Sequence, residues 1–113
     1  MNEDYWIYED KFIFKPDFDK PIDKYIEVIK NYSQLIFSNY DEFENCIETN
    51  NAFSPKYKNN WIESKFNNPL KNSLNNLKSL THLTFGYNFN NPLSNSLNNL
   101  ISLTNLIFGN NFN

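Results

Sequence analysis

The chain has 113 residues, enough for one small domain, and its composition of 40% apolar and 18% aromatic residues provides enough apolar surface for a buried core. Ten lysines and no arginine stand against thirteen acidic residues, for a net charge of −3, which argues against a phosphate-binding surface and therefore against a nucleic-acid partner. All thirteen acids lie in residues 1–65, with eight of the lysines, whereas residues 66–113 carry only Lys71 and Lys78.

Cysteine usage and the first residues predict an intracellular protein. The single cysteine, Cys46, excludes an internal disulfide, and the acidic residues 1–4 differ from the basic start of a secretory or transit peptide. No uninterrupted apolar run approaches the roughly 20 residues that cross a bilayer. We therefore expect no membrane partner.

A 23-residue repeat organises the chain. Residues 66–88 read FNNPLKNSLNNLKSLTHLTFGYN and residues 89–111 read FNNPLSNSLNNLISLTNLIFGNN, with 18 of 23 positions identical. Each unit has seven large apolar residues at the same positions, and a repeat of this length indicates stacked coils. The elements upstream are predicted from the same spacing.

In chain order, residues 1–17 form a predicted N-terminal cap and partial repeat, with a strand at 12–14. Residues 18–42 form the first full repeat, because a Phe-x-x-Pro-aliphatic corner begins at Phe18 and all five later core positions are apolar. Its predicted strand, 35–37, lies one repeat length after the first strand.

The next unit, residues 43–65, follows the spacing poorly. Asn51, Ser54 and Asn60 occupy positions where aliphatic residues are expected, and Trp61 is displaced by one position. We expect this repeat to bulge or to slip its register.

The two regular units, 66–88 and 89–111, each contain three predicted elements. An extended corner surrounds the proline, leucines at intervals of three indicate a short 3₁₀ or helical turn, and Leu83 to Phe85 predict a strand that ends at Gly86. Residues 112–113 begin a further repeat.

One unit cannot bury its apolar residues alone, so the repeats predict an α/β solenoid. It would stack about 4.5 coils of 23 residues, with a short-stranded parallel sheet on its concave face. The spacing of proline, leucines, Phe-Gly and asparagine resembles a leucine-rich repeat, in which asparagines form a ladder, here at Asn88 and Asn111. Phe-Asn-x-Pro-Leu followed by the leucines and Phe-Gly is more closely similar to the FNIP repeat of amoebal proteins and of large DNA viruses that infect amoebae.

The resemblance implies a non-enzymatic protein-interaction module, located in the cytoplasm, or in the host cytoplasm if the protein is viral. Some members of that family carry an amino-terminal F-box for recruitment to a ubiquitin ligase. The strand predicted at 12–14 leaves no room for that module before it, so we do not extend the ligase role to this chain.

Outward-pointing strand residues are the candidate partner-binding sites. The register predicts a polar column at Lys11, Gln34, Asn59, His82 and Asn105, and a mostly apolar column facing water at Ile13, Ile36, Trp61, Thr84 and Ile107. With Tyr87, the candidate concave face comprises Ile13, Gln34, Ile36, Trp61, His82, Thr84, Tyr87, Asn105 and Ile107. The alternative interpretation is that β-branched residues in the second column simply favour strands.

The pattern indicates no catalytic, cofactor or metal site. His82 is the only histidine and has no acidic residue near it in sequence, so we interpret it as an exposed strand residue. Cys46 occupies the slot that proline holds in other repeats, and the acids have irregular spacing that matches no calcium loop.

Two further interpretations remain open. The 23 asparagines could belong to a disordered, aggregation-prone tract, although the regular apolar positions argue against it. The chain could also be a vestigial or self-assembling fragment of a longer repeat protein, because its last coil lacks a polar capping unit. In that case we expect end-to-end self-association through the C-terminal coil.

Overall fold

The computed structural model describes residues 4–40, 62–93 and 95–112, which contain five short strands and one short α-helix. Strand β1 spans Tyr5–Tyr8 and β2 spans Lys11–Phe14. A 3₁₀ turn, Asp23–Tyr25, continues into helix α1, Ile26–Ile29. The remaining strands are β3 (Gln34–Phe37), β4 (His82–Thr84) and β5 (Asn105–Ile107).

The strands form one open mixed sheet in the order β1-β2-β3-β4-β5. Strands β2 to β5 are parallel, and their register aligns Lys11, Gln34, His82 and Asn105. The strands predicted from the repeat spacing at β2, β3 and β4 are confirmed, and so is the pairing of the two regular units, because Leu83 lies opposite Leu106. An open five-stranded sheet does not by itself define a solenoid, so the α/β solenoid remains a prediction.

The expectation that residues 43–65 place a strand in the middle of this sheet is wrong. Strand β3 pairs directly with β4, so Gln34 lies beside His82, although about two repeat lengths of sequence separate them. The Ile62 N–H donates to the Asn39 carbonyl at 2.8 Å, which joins the segment before β4 to the residues that follow β3. The poor match of residues 43–65 to the repeat is the sequence signal that the register cannot be extended through them.

Strand β1 is an element that the repeat does not predict. It pairs with β2 in an antiparallel hairpin, with Tyr8 opposite Lys11 and a turn in which Glu9 has a φ of 52°. The sequences YWIY and KFIF on either side of a two-residue polar turn are typical of a hairpin. The hairpin covers the sheet edge that β2 would otherwise expose.

The predicted turns of the regular units are confirmed. The N–H of Leu77 donates to the Leu74 carbonyl at 3.1 Å and that of Leu80 to the Leu77 carbonyl at 3.2 Å, which is the i to i+3 pattern of 3₁₀ structure. Leu74, Leu77 and Leu80 all point into the core, where none is more than 2% exposed.

Two columns of stacked phenylalanine rings run through the core, perpendicular to the strands. The strand-end column contains Phe14, Phe37, Phe85 and Phe108, with ring centroids 5.2 to 5.7 Å apart. The corner column contains Phe18, Phe66, Phe89 and Phe112, with centroids 5.8 to 6.0 Å apart. Each ring also stacks on its counterpart in the other column at 4.0 to 4.2 Å.

The columns generate a stability prediction. Phe85 is 1% exposed in the middle of its column, whereas Phe108 at the end of the same column is 37% exposed. We expect Phe85→Ala to lower the free energy of unfolding by about 3–5 kcal/mol, since it removes a buried ring with stacked neighbours on both sides. The matched control, Phe108→Ala, should cost less than about 2 kcal/mol.

Equilibrium unfolding in urea, followed by circular dichroism, measures both values. If the alanine variant does not fold, Phe85→Leu and Phe108→Leu replace the pair, and the change at buried Phe85 should again cost more than the same change at Phe108. If the substitutions at positions 85 and 108 lowered the free energy of unfolding equally, the phenylalanine columns would not be the source of the stability.

Candidate partner-binding face

One face of the sheet carries the partner-binding candidates that lie on the described strands. We call it the front face and define it by two rows, which are aligned by the strand register. The polar row contains Lys11, Gln34, His82 and Asn105, and the apolar row contains Ile13, Ile36, Thr84 and Ile107. The opposite face points its phenylalanines and leucines into the main core.

The polar row is accessible to solvent along its whole length. Lys11, Gln34 and His82 are partly exposed and Asn105 is exposed. Neighbouring members are separated by one strand spacing, about 4.8 Å. The row therefore presents an ammonium, two amides and an imidazole in a straight line across the sheet.

The expectation that the apolar row faces water is wrong for three of its four members. Ile13, Ile36 and Thr84 are at most 2% exposed. The two isoleucines form a second apolar cluster with buried Tyr40, and Trp6 packs against it. The sheet is therefore buried on both faces at β2 and β3, and only Ile107, at 41%, remains exposed.

The other candidates lie at the edges of the front face or outside the described residues. Tyr87 follows β4 and is partly exposed, and its N–H donates to the Asn39 side-chain oxygen at 2.8 Å. Asn59, Trp61 and Cys46 lie outside the described part of the chain. Direct pairing of β3 and β4 also rules out the places predicted for Asn59 and Trp61 between Gln34 and His82.

The residues that directly precede the strands form a hydrogen-bonded row next to the polar row. The Thr104 hydroxyl donates to the Thr81 carbonyl at 3.2 Å, and the Thr81 hydroxyl donates to the Ser33 carbonyl at 3.1 Å. The Ser33 hydroxyl in turn donates to the Asp10 carboxylate at 2.8 Å, and Gln34 donates to the same oxygen at 3.2 Å. Asp10 thereby orients Gln34, a member of the polar row.

The predicted asparagine ladder is confirmed at the opposite ends of the strands. The Asn111 side-chain amide donates to the Asn88 oxygen at 3.0 Å, and Asn88 donates to the Ser64 carbonyl at 2.9 Å. A second ladder, missed at the sequence level, runs through Asn90, Asn67 and Asp19. The two ladders flank an open polar groove of about 710 Å³, whose lining comprises Asp19, Lys65, Asn67, Asn88, Asn90 and Asn111.

The signals for the missed rows were present in the sequence. Thr81 and Thr104 are identical in the two regular units, as are Asn67 and Asn90. Both pairs sit next to core positions, so equivalent residues of the two units lie beside each other and can bond along the stack. A search for polar positions that are identical between the repeats, beside the apolar ones, would have identified them.

His82 has a local hydrogen-bond partner. Its Nδ1 lies 2.8 Å from the Thr81 hydroxyl. Within residues 4–40, 62–93 and 95–112, no three His, Cys, Asp or Glu side chains are grouped as a metal site requires. The helices in this part of the chain include none with the length and apolarity to span a membrane.

Ionisation of the Asp10 carboxyl makes the free energy of unfolding depend on pH in the acid range. The hydrogen bond from Ser33 lowers the pKa of the Asp10 carboxyl below its ordinary value of 3.8, with further lowering from Gln34 and Lys11 against an opposing effect of burial. The unfolded chain therefore binds a proton at this site more readily than the folded chain does. Asp10 contributes its stability fully above pH 3.8, and the contribution is lost as the pH falls through the lower pKa of the folded state.

We therefore expect Asp10→Asn to reduce the steepness with which the urea midpoint falls below pH 3.8. Ser33→Ala removes the principal donor and should reduce the steepness in the same direction. The double variant should add little to Asp10→Asn alone, because Ser33 acts on this acid dependence through the Asp10 carboxylate. If the urea midpoint of Asp10→Asn fell as steeply below pH 3.8 as that of the unchanged chain, this role of Asp10 would be contradicted.

Comparisons of the chain with protein-family models, with curated proteins and with solved structures found no match.

Proposed function

We propose that the chain is a non-enzymatic protein-interaction module of FNIP-like, leucine-rich-repeat-like solenoid type, which binds its partner through the polar row of the front face. The observation that carries the proposal is the register. It places Lys11, Gln34, His82 and Asn105 side by side on a rigid sheet with their side chains reaching solvent. Binding residues held on such a scaffold need little ordering when a partner docks.

The differences between the two regular units support the same surface. Of the five positions at which the units differ, His82/Asn105 belongs to the polar row and Thr84/Ile107 to the apolar row. A third, Tyr87/Asn110, closely follows the strand. All seven apolar core positions are identical, so the variation falls outside the repeated core positions, and two of its five positions lie on the front face.

The chemistry of the row indicates the kind of partner. Gln34, His82 and Asn105 can all donate or accept hydrogen bonds without carrying a fixed charge. Lys11 adds a cation at one end, and exposed Ile107 adds an apolar contact beside Asn105 at the other. This combination suits a polar protein surface with one apolar anchor, since interfaces combine satisfied hydrogen bonds with a few buried apolar contacts.

Site-specific photo-crosslinking tests the proposal. A photoreactive amino acid placed singly at Lys11, Gln34 or His82 should capture the same partner in cells, because the three positions lie in one row of adjacent strands. The matched control is the same amino acid at Asn98, which is exposed on the turn that precedes β5. Mass spectrometry of the crosslinked products identifies the partner.

The expected result is one partner shared by the row positions and absent at Asn98. Equal capture at Asn98, or different proteins at each row position, would contradict binding through the polar row.

A further inference from the structure

The end of the sheet formed by β5 exposes apolar residues that are buried in the preceding repeat. Ile107 and Phe108 are 41% and 37% exposed, and partly buried side chains pack behind them at Leu93, Leu97, Leu103, Leu106 and Phe112. The equivalent residues of the preceding unit, Leu70, Leu74, Leu80, Leu83 and Phe89, are at most 1% exposed. Among the described residues, the apolar side chains at the β5 end are therefore less covered than their equivalents in the preceding unit.

At the centre of β5, the backbone N–H and C=O of one residue, Leu106, point away from β4. The Asn105 N–H donates to the Thr81 carbonyl at 3.1 Å, and the Ile107 carbonyl accepts from the Phe85 N–H at 2.8 Å, so both residues bond towards β4. Backbone groups alternate in direction along a strand, so the N–H and C=O of Leu106 point away from the sheet. In an antiparallel pair, two opposed residues can exchange both bonds, which Leu106 could do with Leu106 of a second copy.

Charge distinguishes the two ends of the sheet. Residues 79–113 contain no lysine, aspartate or glutamate, so two copies of the β5 end can meet without repulsion between charged side chains of these types. The opposite edge, β1, lies between Asp4 on one side and Glu9 and Asp10 on the other. Charged residues next to an edge strand oppose its pairing with a second copy.

We propose that two copies of this chain associate through β5, with their strands antiparallel about a two-fold axis at Leu106, to form a continuous ten-stranded sheet. In this arrangement Asn105 lies opposite Ile107 of the second copy, and the leucine sides of both sheets face the same way. The exposed ends of the phenylalanine columns enter the interface with the leucines. A two-fold contact uses the same surface on both copies and closes at the dimer.

Sedimentation velocity over a wide concentration range, with matched edge-strand variants, tests the proposal. The unchanged chain should sediment as a dimer that dissociates on dilution and shows little dependence on salt. Ile107→Lys should weaken the dimer about 10-fold or more, because it brings two like charges close together on the same face beside the two-fold axis. Ile7→Lys is the control, since Ile7 on β1 has nearly the same exposure, 42%, at the opposite end of the sheet.

A second variant keeps the test decisive if Ile107→Lys does not fold. Asn105→Lys changes an exposed polar residue on the same strand and should also dissociate the dimer, while circular dichroism confirms that the fold is retained. A monomer at every concentration would overturn the proposal. Equal dissociation by Ile7→Lys, or a mass that grows beyond the dimer, would also overturn it, because both results indicate head-to-tail contact between β5 and β1.

Discussion

Stacking of phenylalanine rings between successive coils is the interaction on which the rest of the structure depends. Each strand must stop at the same level as its neighbour so that its terminal ring meets the strand-end column, and each following corner must return a ring to the corner column. The pairing of rings between the columns continues from β3 to β4 even though the sequence separation changes. The corner ring that stacks on Phe37 at 4.2 Å is Phe66, whereas the corner ring that stacks on Phe14 is the nearby Phe18. Stacked aromatic pairs add about 0.5–1.5 kcal/mol each beyond their burial, so one missing ring weakens several contacts together.

The hydrogen-bonded rows of Thr, Ser and Asn side chains run alongside the phenylalanine columns, and their hydrogen bonds have a direction. Donors on each later coil bond to acceptors on the coil before it, as Asn111 does to Asn88 and Thr104 does to Thr81. The first position of such a row has only to accept, and a carboxylate, which is an acceptor without donors, is suited to it. Asp10, Asp19 and Asp23 occupy these first positions and accept from Ser33, Asn67 and Ser73. Part of the acidic front and amide-rich back of the sequence therefore reflects the direction of its hydrogen bonding.

The repeat spacing correctly predicted the core positions of the regular units and the pairing of β2 with β3 and of β4 with β5, because the same apolar positions recur at fixed intervals in these units. It failed where it set Asn59 and Trp61 between β3 and β4, because counting repeat lengths cannot reveal that two strands about two repeat lengths apart in sequence pair directly. It also misjudged the apolar row of the front face. KFIF and QLIF are runs of three apolar residues after a polar one, a pattern typical of strands buried on both faces, whereas the repeat register treats it as alternation. Strand β1 lies outside the repeat, so the repeat spacing carries no signal for it.

The burial of the front face explains where recognition can occur. At β2 and β3 the Ile13, Ile36 and Tyr40 cluster occupies the apolar row, which leaves only the polar row for contact with a partner. Ile107 on β5 lies beyond this cluster, and polar and apolar side chains become accessible together there. A hydrogen-bonding side chain and an exposed apolar one also occur together at the other end of the described sheet, where Tyr8 lies opposite Lys11. Burial of the middle of the apolar row therefore directs a partner to the ends of the front face, and the absence of lysine, aspartate and glutamate from residues 79–113 favours the β5 end for an apolar contact.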